Sequence, residues 1–337
     1  MTGGATPGLS VVVPTYNRRD RLARVLASLA SQDVDEPYEV IVASDGSTDG
    51  TDEYLTGGDL PIAVTALTQP NQGPAAARNL GVEHARGDVV VFIDDDVVAD
   101  AGLLSAHREA HERLGDRVVV IGPMLDPPDH TMSPWVAWEQ EMLAKQYVAM
   151  DRGDYTATAR QFYTGNASLR IDHLREVGGF DPAFRRAEDV ELAFRLDDLG
   201  LTFHYESAAI GLHYAERSYE AWRRTAYDYG RNDIVFARDL GRTWLFEFIR
   251  DSYRWRHPFV RRLILYGVGS DRSAQRIIGR CERLLGDPSA PSVGRTQRYA
   301  LSVIYGIEYH RGIADELGSE DALRRLLRDG APASHQR

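Results

Sequence analysis

The chain has 337 residues, enough for one large domain with an extension, and its 43% hydrophobic and 26% charged residues are typical of a soluble globular protein. The formal net charge of -11 argues against a nucleic-acid partner, because binding phosphates requires a basic surface. The single cysteine, Cys281, excludes an internal disulfide and a cysteine-rich metal site, and it fits a reducing compartment such as the cytoplasm.

Neither a membrane span nor a signal peptide is expected. The chain has no run of about eighteen apolar residues, which is the length that a membrane-spanning helix needs. Residues 1–8 lack the basic and apolar regions of a signal peptide and are expected to form a short disordered lead. Residues 330–337 are expected to form a disordered tail.

Apolar runs and helical spacing alternate over the first hundred residues. Short, buried, β-branched runs predict strands at 9–13, 40–43, 62–67 and 89–93. Apolar residues at helical spacing predict helices at 22–30 and 75–84, with a short helix after the loop at 44–51. This alternation predicts an α/β fold with a mostly parallel sheet and right-handed crossovers.

The remainder of the chain becomes increasingly helical. Further helices are predicted at 101–114, 135–150, 171–177 and 187–199, and further strands at 118–121, 163–170, 209–212 and near Phe203. From Ser218 onward the pattern is helical and polar. We therefore expect one domain over 9–215 and a helical extension over 216–329, with the proline-rich loop at 122–134 as a candidate lid.

Three adjacent carboxylates, Asp94, Asp95 and Asp96, directly follow the predicted strand at 89–93. An open α/β sheet binds its ligand beyond the carboxyl ends of its strands, so the triplet lies where a ligand is expected. Oxygen ligands favour Mg²⁺ or Mn²⁺, and the alternative is a solvated acidic turn. The chain lacks both G-x-G-x-x-G after the first strand and G-x-x-x-x-G-K-[ST], which excludes the commonest phosphate-binding loops of such sheets.

Charge is unevenly distributed along the chain. Residues 217–262 contain eleven arginines and six acids, a balance of 11 - 6 = +5, which leaves -16 for the rest. A basic, aromatic-rich stretch in an acidic protein suits an anionic substrate or a peripheral contact with the inner face of a membrane. The favoured alternative is a set of amphipathic helices whose arginines pair with the acidic domain.

Five short segments between residues 11 and 192 form an ordered set of motifs. They are VVVPTYNR at 11–18, ASDGSTDGT at 43–51, NQGPAAARN at 71–79, GDVVVFIDDD at 87–96, and GNASLR followed by FD and EDVEL within 165–192. Each segment is weak alone, but together they resemble glycosyltransferase family 2, whose members have the nucleotide-diphosphosugar-binding GT-A fold. The resemblance covers residues 9 to about 213, nearly two-thirds of the chain.

The resemblance implies inverting, metal-dependent transfer of a sugar from a nucleotide diphosphate to a hydroxyl acceptor. A divalent ion, Mg²⁺ or Mn²⁺, stabilises such a leaving group as a Lewis acid. Asp96 is the expected direct metal ligand and Asp94 a supporting one, while His213 is either a further ligand or a structural residue. Asp189 is the expected general base, and its alternative is an acid favoured by the dipole at a helix N-terminus.

The same resemblance implies a nucleotide site at the strand ends of the first half. The expected nucleotide-binding residues are Pro14, Thr15, Tyr16, Asp45, Arg78 and Asp95. If Asp45 accepts a hydrogen bond from a base imide, UDP or dTDP is favoured and guanine stays open, although Ser44 stands where many relatives have a second acid. The alternatives are a turn cap for Asp45 and a helix-surface charge for Arg78. Glu188 and Asn166 are expected to contact the donor or acceptor sugar.

Two other functions stay open at this point. A sugar-phosphate nucleotidyltransferase shares the sheet and the metal, but it needs a glycine-rich basic loop after the first strand, which this chain lacks. A non-catalytic nucleotide-sugar-binding module does not need both the acid triplet and the Glu188-Asp189 pair. The sequence specifies neither the sugar, the acceptor nor the oligomeric state.

Overall fold

The computed structural model describes residues 8–286 and 293–330, so the predicted lead and tail lie outside the described residues except for Gly8 and Gly330. The chain divides into two compact units. The first consists of Met1–His130 and Met142–Tyr214, and the second of Thr131–Glu141 and Ala215–Arg337. The predicted extension over 216–329 therefore shares its unit with residues 131–141, which the sequence did not indicate.

The first unit contains two sheets. Its strands are β1 (Leu9–Thr15), β2 (Tyr38–Ser44), β3 (Val64–Thr68), β4 (Val89–Ile93), β5 (Val97–Ala99), β6 (Val118–Ile121), β7 (Met124–Leu125), β8 (Asn166–Arg170), β9 (Thr202–Tyr205) and β10 (Gly211–His213). The large sheet has seven strands in the order β3-β2-β1-β4-β8-β6-β9, and the small sheet has the order β5-β10-β7.

The large sheet is parallel except at β8. Strand β1 pairs in parallel with β2 and β4, and β2 pairs in parallel with β3. Strand β8 runs antiparallel between β4 and β6, and β9 is parallel to β6. The α/β class and the mostly parallel sheet were predicted correctly, whereas the small sheet was not, because its strands have only two or three residues each.

Helices cover the sheet and connect its strands. In the first unit they are α1 (Arg19–Leu29), α2 (Thr51–Thr56), α3 (Pro74–His84), α4 (Leu103–Leu114), α6 (Ile171–Glu176) and α7 (Glu188–Asp198), while α5 (Pro134–Asp151) begins in the second unit and ends in the first. Strand β4 is buried at every position, because helices on both faces of a parallel sheet exclude water from its centre. Because β1, β2 and β4 are parallel to one another, their carboxyl ends lie at the same edge of the large sheet.

The second unit is helical. Its helices are α8 (Tyr219–Arg238), α9 (Trp244–Arg254), α10 (Pro258–Val268), α11 (Asp271–Glu282), α12 (Arg295–Glu316) and α13 (Glu320–Asp329). Helices α8 and α12 cross at two glycines. A Cβ at Gly230 would lie 1.9 Å from the Tyr309 carbonyl oxygen, and one at Gly312 would lie 2.0 Å from that of Tyr227, so only glycine allows this approach.

Within residues 8–286 and 293–330, every helix is too short or too polar to cross a bilayer.

Candidate active site at the carboxyl edge of the large sheet

The acid triplet lies at the end of β4, and its three carboxylates have different partners. Asp94 accepts a hydrogen bond from Arg78 at 2.8 Å. Asp95 accepts one from the Thr15 hydroxyl at 2.8 Å, and Asp96 accepts one from Arg18 at 2.6 Å. The triplet is therefore a built, partly buried cluster in this structure and not a solvated acidic turn.

Arg18 links two of the three carboxylates. Its Nη1 donates to Asp95 at 2.9 Å and to Asp96 at 2.6 Å. Burial raises the pKa of Asp95 to about 6, against the lowering effect of the Arg18 charge, and because this value still lies below 7 Asp95 is mostly ionised at neutral pH. The neighbouring residue Asn17 has a positive φ of 52°, and its side-chain oxygen accepts a hydrogen bond from the Thr48 amide, which ties the loops after β1 and β2 together.

Arg78 connects the triplet to the start of α7. It projects from α3, is 4% exposed, and donates to Asp94 at 2.8 Å and to Glu188 at 2.9 Å. A buried guanidinium with two carboxylates forms a geometrically defined bridge. The alternative of a helix-surface charge is therefore wrong for Arg78, while its contact with a nucleotide stays a prediction.

Asp189 begins α7 beside this bridge. The preceding Ala187 has a φ of 58°, a left-handed conformation that residues with a Cβ rarely adopt and that is concentrated at functional sites. The Asp189 side chain is half-buried, and protein atoms surround it closely. Burial, and after it the Glu188 carboxylate, raise the pKa of Asp189 to about 7, and Arg78 opposes the rise. A carboxyl group with these properties suits a general base near neutral pH.

The predicted nucleotide residues of β1 differ in accessibility. Pro14 and Thr15 are buried, and the Thr15 hydroxyl is committed to Asp95. Tyr16 is 47% exposed, which leaves its ring accessible to a planar base. The structure therefore offers Tyr16 for direct contact and gives Thr15 a positioning contact.

Asp45 holds the loop before α3. Its Oδ1 accepts hydrogen bonds from Gln69 Nε2 at 2.7 Å and from the Gln72 amide at 2.8 Å, and its Oδ2 accepts one from the Gly73 amide at 2.8 Å. The structure thus gives Asp45 the turn-capping role that was its alternative. A carboxylate has about four lone-pair sites, so one further donor is compatible with these three, and the base contact stays a prediction.

Asn166 requires a correction, because it has no surface for a sugar. It is 0% exposed, and its Nδ2 donates to the carbonyls of Pro123 at 2.9 Å and Ala209 at 2.7 Å. Its Oδ1 must then accept from His107 Nε2, at 2.9 Å. The expected sugar contact is replaced by a structural one, which joins the start of β8 to two loops at the site edge.

The hydrogen bonds at Asn166 determine which ring nitrogens carry hydrogens in a buried hydrogen-bond series through His107, Ser168 and His111. Since His107 Nε2 carries a hydrogen, its Nδ1 accepts from the Ser168 hydroxyl at 2.8 Å. Ser168 in turn accepts from His111 Nε2 at 2.9 Å. Burial lowers the pKa of His107 to about 4 and that of His111 to about 3, so both rings are neutral at neutral pH.

His213, at the end of β10, approaches the triplet. Its Nε2 lies 3.6 Å from Asp96 Oδ1. This separation exceeds a hydrogen bond but lets both atoms bind one cation through bonds of about 2.1 Å. Within the described ranges, no three acidic, histidine or cysteine side chains gather around a metal position. Mg²⁺ commonly takes one or two carboxylates and completes its shell with phosphates and water, and a metal site at Asp96 and His213 stays a prediction.

Two positioning residues were missed from the sequence. Arg18 is the last residue of the first motif, and its charge beside an acid triplet was the available signal. Asn79 follows Arg78, and its side chain bonds both the carbonyl of Phe180 at 2.8 Å and the amide of Phe180 at 2.9 Å. Asn79 thereby fixes the loop that leads into α7.

The large sheet, with the acid triplet at its carboxyl edge, has the GT-A fold, and solved structures share this fold. TarS from S. aureus superposes with a TM-score of 0.53 at 19% identity, covering 98% of this chain and 56% of TarS. Mannosyltransferase PcManGT from Pyrobaculum calidifontis, solved with GDP-Man and Mn2+, gives a TM-score of 0.58 at 20% identity, covering 90% of this chain and 87% of that one.

Sequence comparison shows similarity to known glycosyltransferases. Residues 10–156 match the model of glycosyl transferase family 2. The uncharacterized glycosyltransferase YfnE from Bacillus subtilis (strain 168) is 30% identical over 60% of this chain and 64% of its own length. Validoxylamine A glucosyltransferase from Streptomyces hygroscopicus subsp. jinggangensis (strain 5008) is 32% identical over 65% of this chain and 59% of its own. The chain thus spans about three fifths of these relatives.

Proposed function

We propose that the protein is an inverting, metal-assisted glycosyltransferase that moves a sugar from UDP or dTDP to a hydroxyl acceptor. The match of residues 10–156 to glycosyl transferase family 2 supports the transferase activity. TarS has been solved with UDP-GlcNAc, which supports a uridine nucleotide as the donor. PcManGT has been solved with GDP-Man, so a guanosine nucleotide is tested as well. The validoxylamine A glucosyltransferase supports a hydroxylated small molecule as one acceptor class.

One observation carries the proposal, namely that Arg78 joins the donor and acceptor halves of the site. Its 2.8 Å contact to Asp94 and 2.9 Å contact to Glu188 place the acids after β4 next to those that begin α7. A transferase needs this adjacency, since the diphosphate and the attacking hydroxyl must lie on opposite sides of one anomeric carbon. A module that only binds the nucleotide sugar does not need the acids that begin α7.

Asp189 acts on the acceptor. It takes the hydroxyl proton while the acceptor oxygen forms a bond to the anomeric carbon and the bond to the diphosphate oxygen breaks, its electron pair leaving with the nucleoside diphosphate. A raised pKa favours this step, because a more basic carboxylate accepts the proton more readily once ionised. Glu188, fixed by Arg78, positions the sugar beside it.

On the donor side, Tyr16 stacks on the base and Asp95 faces the ribose. Asp96 and His213 would hold a divalent cation, which would supply charge stabilisation for the departing diphosphate. In this proposal Arg78 also orients phosphate oxygens through its rigid, planar guanidinium.

The test is calorimetric binding of UDP, dTDP, GDP and CDP with and without Mn²⁺, to the wild type and to Asp96→Asn. We expect one diphosphate to bind tightly only with metal and to lose that metal dependence in Asp96→Asn. Asp100→Asn is the matched control, because Asp100 is an exposed acid only four residues away.

Turnover is tested by release of nucleoside diphosphate from the donor sugar that binds. Asp189→Asn should lower this rate about 10²- to 10⁴-fold while donor affinity stays within a few-fold. Asp197→Asn, an exposed acid of the same helix, should leave both unchanged. Equal rates in the wild type and Asp189→Asn would remove the general base from the proposal, and the absence of any nucleotide binding would overturn it entirely.

A further inference from the structure

The turn between α9 and α10 is basic in an acidic protein. From Ser252 to Ser270 the chain contains four arginines, at 254, 256, 261 and 262, and no aspartate or glutamate, although the whole protein carries -11. The same stretch contains Trp255, Phe259 and Tyr266, which are 81%, 63% and 58% exposed. Basic and aromatic side chains are therefore presented together in the second unit.

Helix α10 has two distinct faces. Its buried face carries Val260, Ile264 and Gly267, and it packs on α12 so closely that a Cβ at Gly267 would lie 2.7 Å from Ile307. Phe259, Arg262 and Tyr266 recur at helical spacing on the opposite face and are exposed. Because the first face already closes the core, the exposed aromatic residues have no packing role among the residues that the structure describes in this unit.

The arginines of this turn differ from those earlier in the basic stretch. Arg231 and Arg238 donate to Glu316 at 3.0 Å and 2.7 Å. Pairing with an acid of the same helical unit therefore accounts for the charge of these two arginines. Arg261 and Arg262 have no carboxylate partner among the residues that the structure describes. Their charge is therefore available for an external anion.

We propose that the α9–α10 surface, formed by Trp255, Phe259, Arg261, Arg262 and Tyr266, docks on an anionic phospholipid membrane. Aromatic rings partition into the interface between headgroups and acyl chains, and each basic residue close to an anionic surface strengthens binding. The proposal concerns a surface of the second unit and stands independently of the donor, metal and base assigned to the first.

A second copy of the chain fits this surface less well than a membrane does. In a two-fold symmetric dimer the same patch faces itself, which brings Arg261 and Arg262 towards their own copies without any acid between 252 and 270 to pair them. An anionic bilayer provides both the apolar depth for Trp255 and the negative charge for the arginines.

The test is co-sedimentation of the full chain with vesicles of equal parts phosphatidylglycerol and phosphatidylcholine, and with vesicles of phosphatidylcholine alone, at about 0.1 M salt. We expect binding to the anionic vesicles only. The double variant Arg261→Gln/Arg262→Gln should weaken it about 25-fold, at about fivefold per arginine. Trp255→Ala/Phe259→Ala should weaken it by at least tenfold while the circular dichroism spectrum stays that of the wild type.

Two control variants make the result specific to this surface. Arg276→Gln/Arg280→Gln removes two exposed arginines from α11, and Tyr299→Ala removes an exposed aromatic ring from α12. Both should bind anionic vesicles like the wild type. Equal binding to neutral and anionic vesicles, or equal losses in controls and test variants, would overturn the proposal. A concentration-dependent dimer that dissociates in Trp255→Ala would also overturn the proposal, because the surface would then bind a second copy of the chain.

Discussion

Acid should destabilise this fold through His107 and His111, and the size of the effect follows from their pKa values. Both pKa values fall from 6.5, to about 4 for His107 and about 3 for His111, because burial disfavours the charged form of each ring. A folded-state pKa below the unfolded one means that the stability is complete above pH 6.5 and is lost as pH falls towards the folded value. At about pH 5 each ring then costs about 2 kcal/mol of unfolding free energy.

The perturbation is His111→Gln, which keeps an N–H for Ser168 and cannot take up the proton. Urea unfolding followed by tryptophan fluorescence gives the unfolding free energy near pH 7.5 and near pH 5. The variant starts less stable, but its loss on acidification should be about 2 kcal/mol smaller than that of the wild type. His84→Gln, at an exposed position of α3, should retain the wild-type loss.

The wild type and His111→Gln must be compared with each other, because other groups change the unfolding free energy in the opposite direction as the pH falls. Burial raises the pKa of Asp95 to about 6 and that of Asp189 to about 7, both above the unfolded value of 3.8. Such groups add stability as pH falls through the folded value, so they mask part of the histidine loss in the wild type. If His111→Gln and the wild type lose the same free energy between the two pH values, the assignment of a buried neutral His111 is refuted.

Two further predictions concern turnover and helix packing. The rate of sugar transfer should rise about tenfold per pH unit below about pH 7 and level off above it, as Asp189 ionises; a pH–rate profile without this limb contradicts the base assignment. Gly230→Ala should destabilise the fold by about 1–3 kcal/mol in urea unfolding, because the new methyl group would overlap the Tyr309 carbonyl, whereas Gly279→Ala, with 3.9 Å to the nearest atom, should be neutral or stabilising. Equal effects of the two substitutions would exclude the close crossing.

Strands with a continuous apolar pattern could be predicted to the residue. Val89–Ile93 and Val118–Ile121 have the predicted bounds, because β-branched runs buried on both faces have no competing interpretation. The antiparallel insertion of β8 between them could not be predicted, since strand order depends on contacts between residues far apart in sequence. The strand predicted from Tyr163 begins only at Asn166, where pairing with β4 starts.

The candidate site shows the same division between local and distant information. The acid triplet and Glu188-Asp189 were found because each is a local pattern next to a strand or a helix start. Asn166 was misassigned because its role depends on Pro123, Ala209 and His107, three segments whose convergence no local pattern reveals. Motif membership identified an important position but not what its side chain contacts.

The contact of Arg18 with Asp95 and Asp96 has a consequence for how the protein behaves before it meets a ligand. The guanidinium acts as a resident counter-ion, so the chain can fold and persist without any metal in solution. A cation that arrives at Asp96 has to compete with this internal charge. Chelation should therefore leave the unfolding midpoint unchanged, and the apparent metal affinity of the empty protein should be weak until a diphosphate contributes its own oxygens.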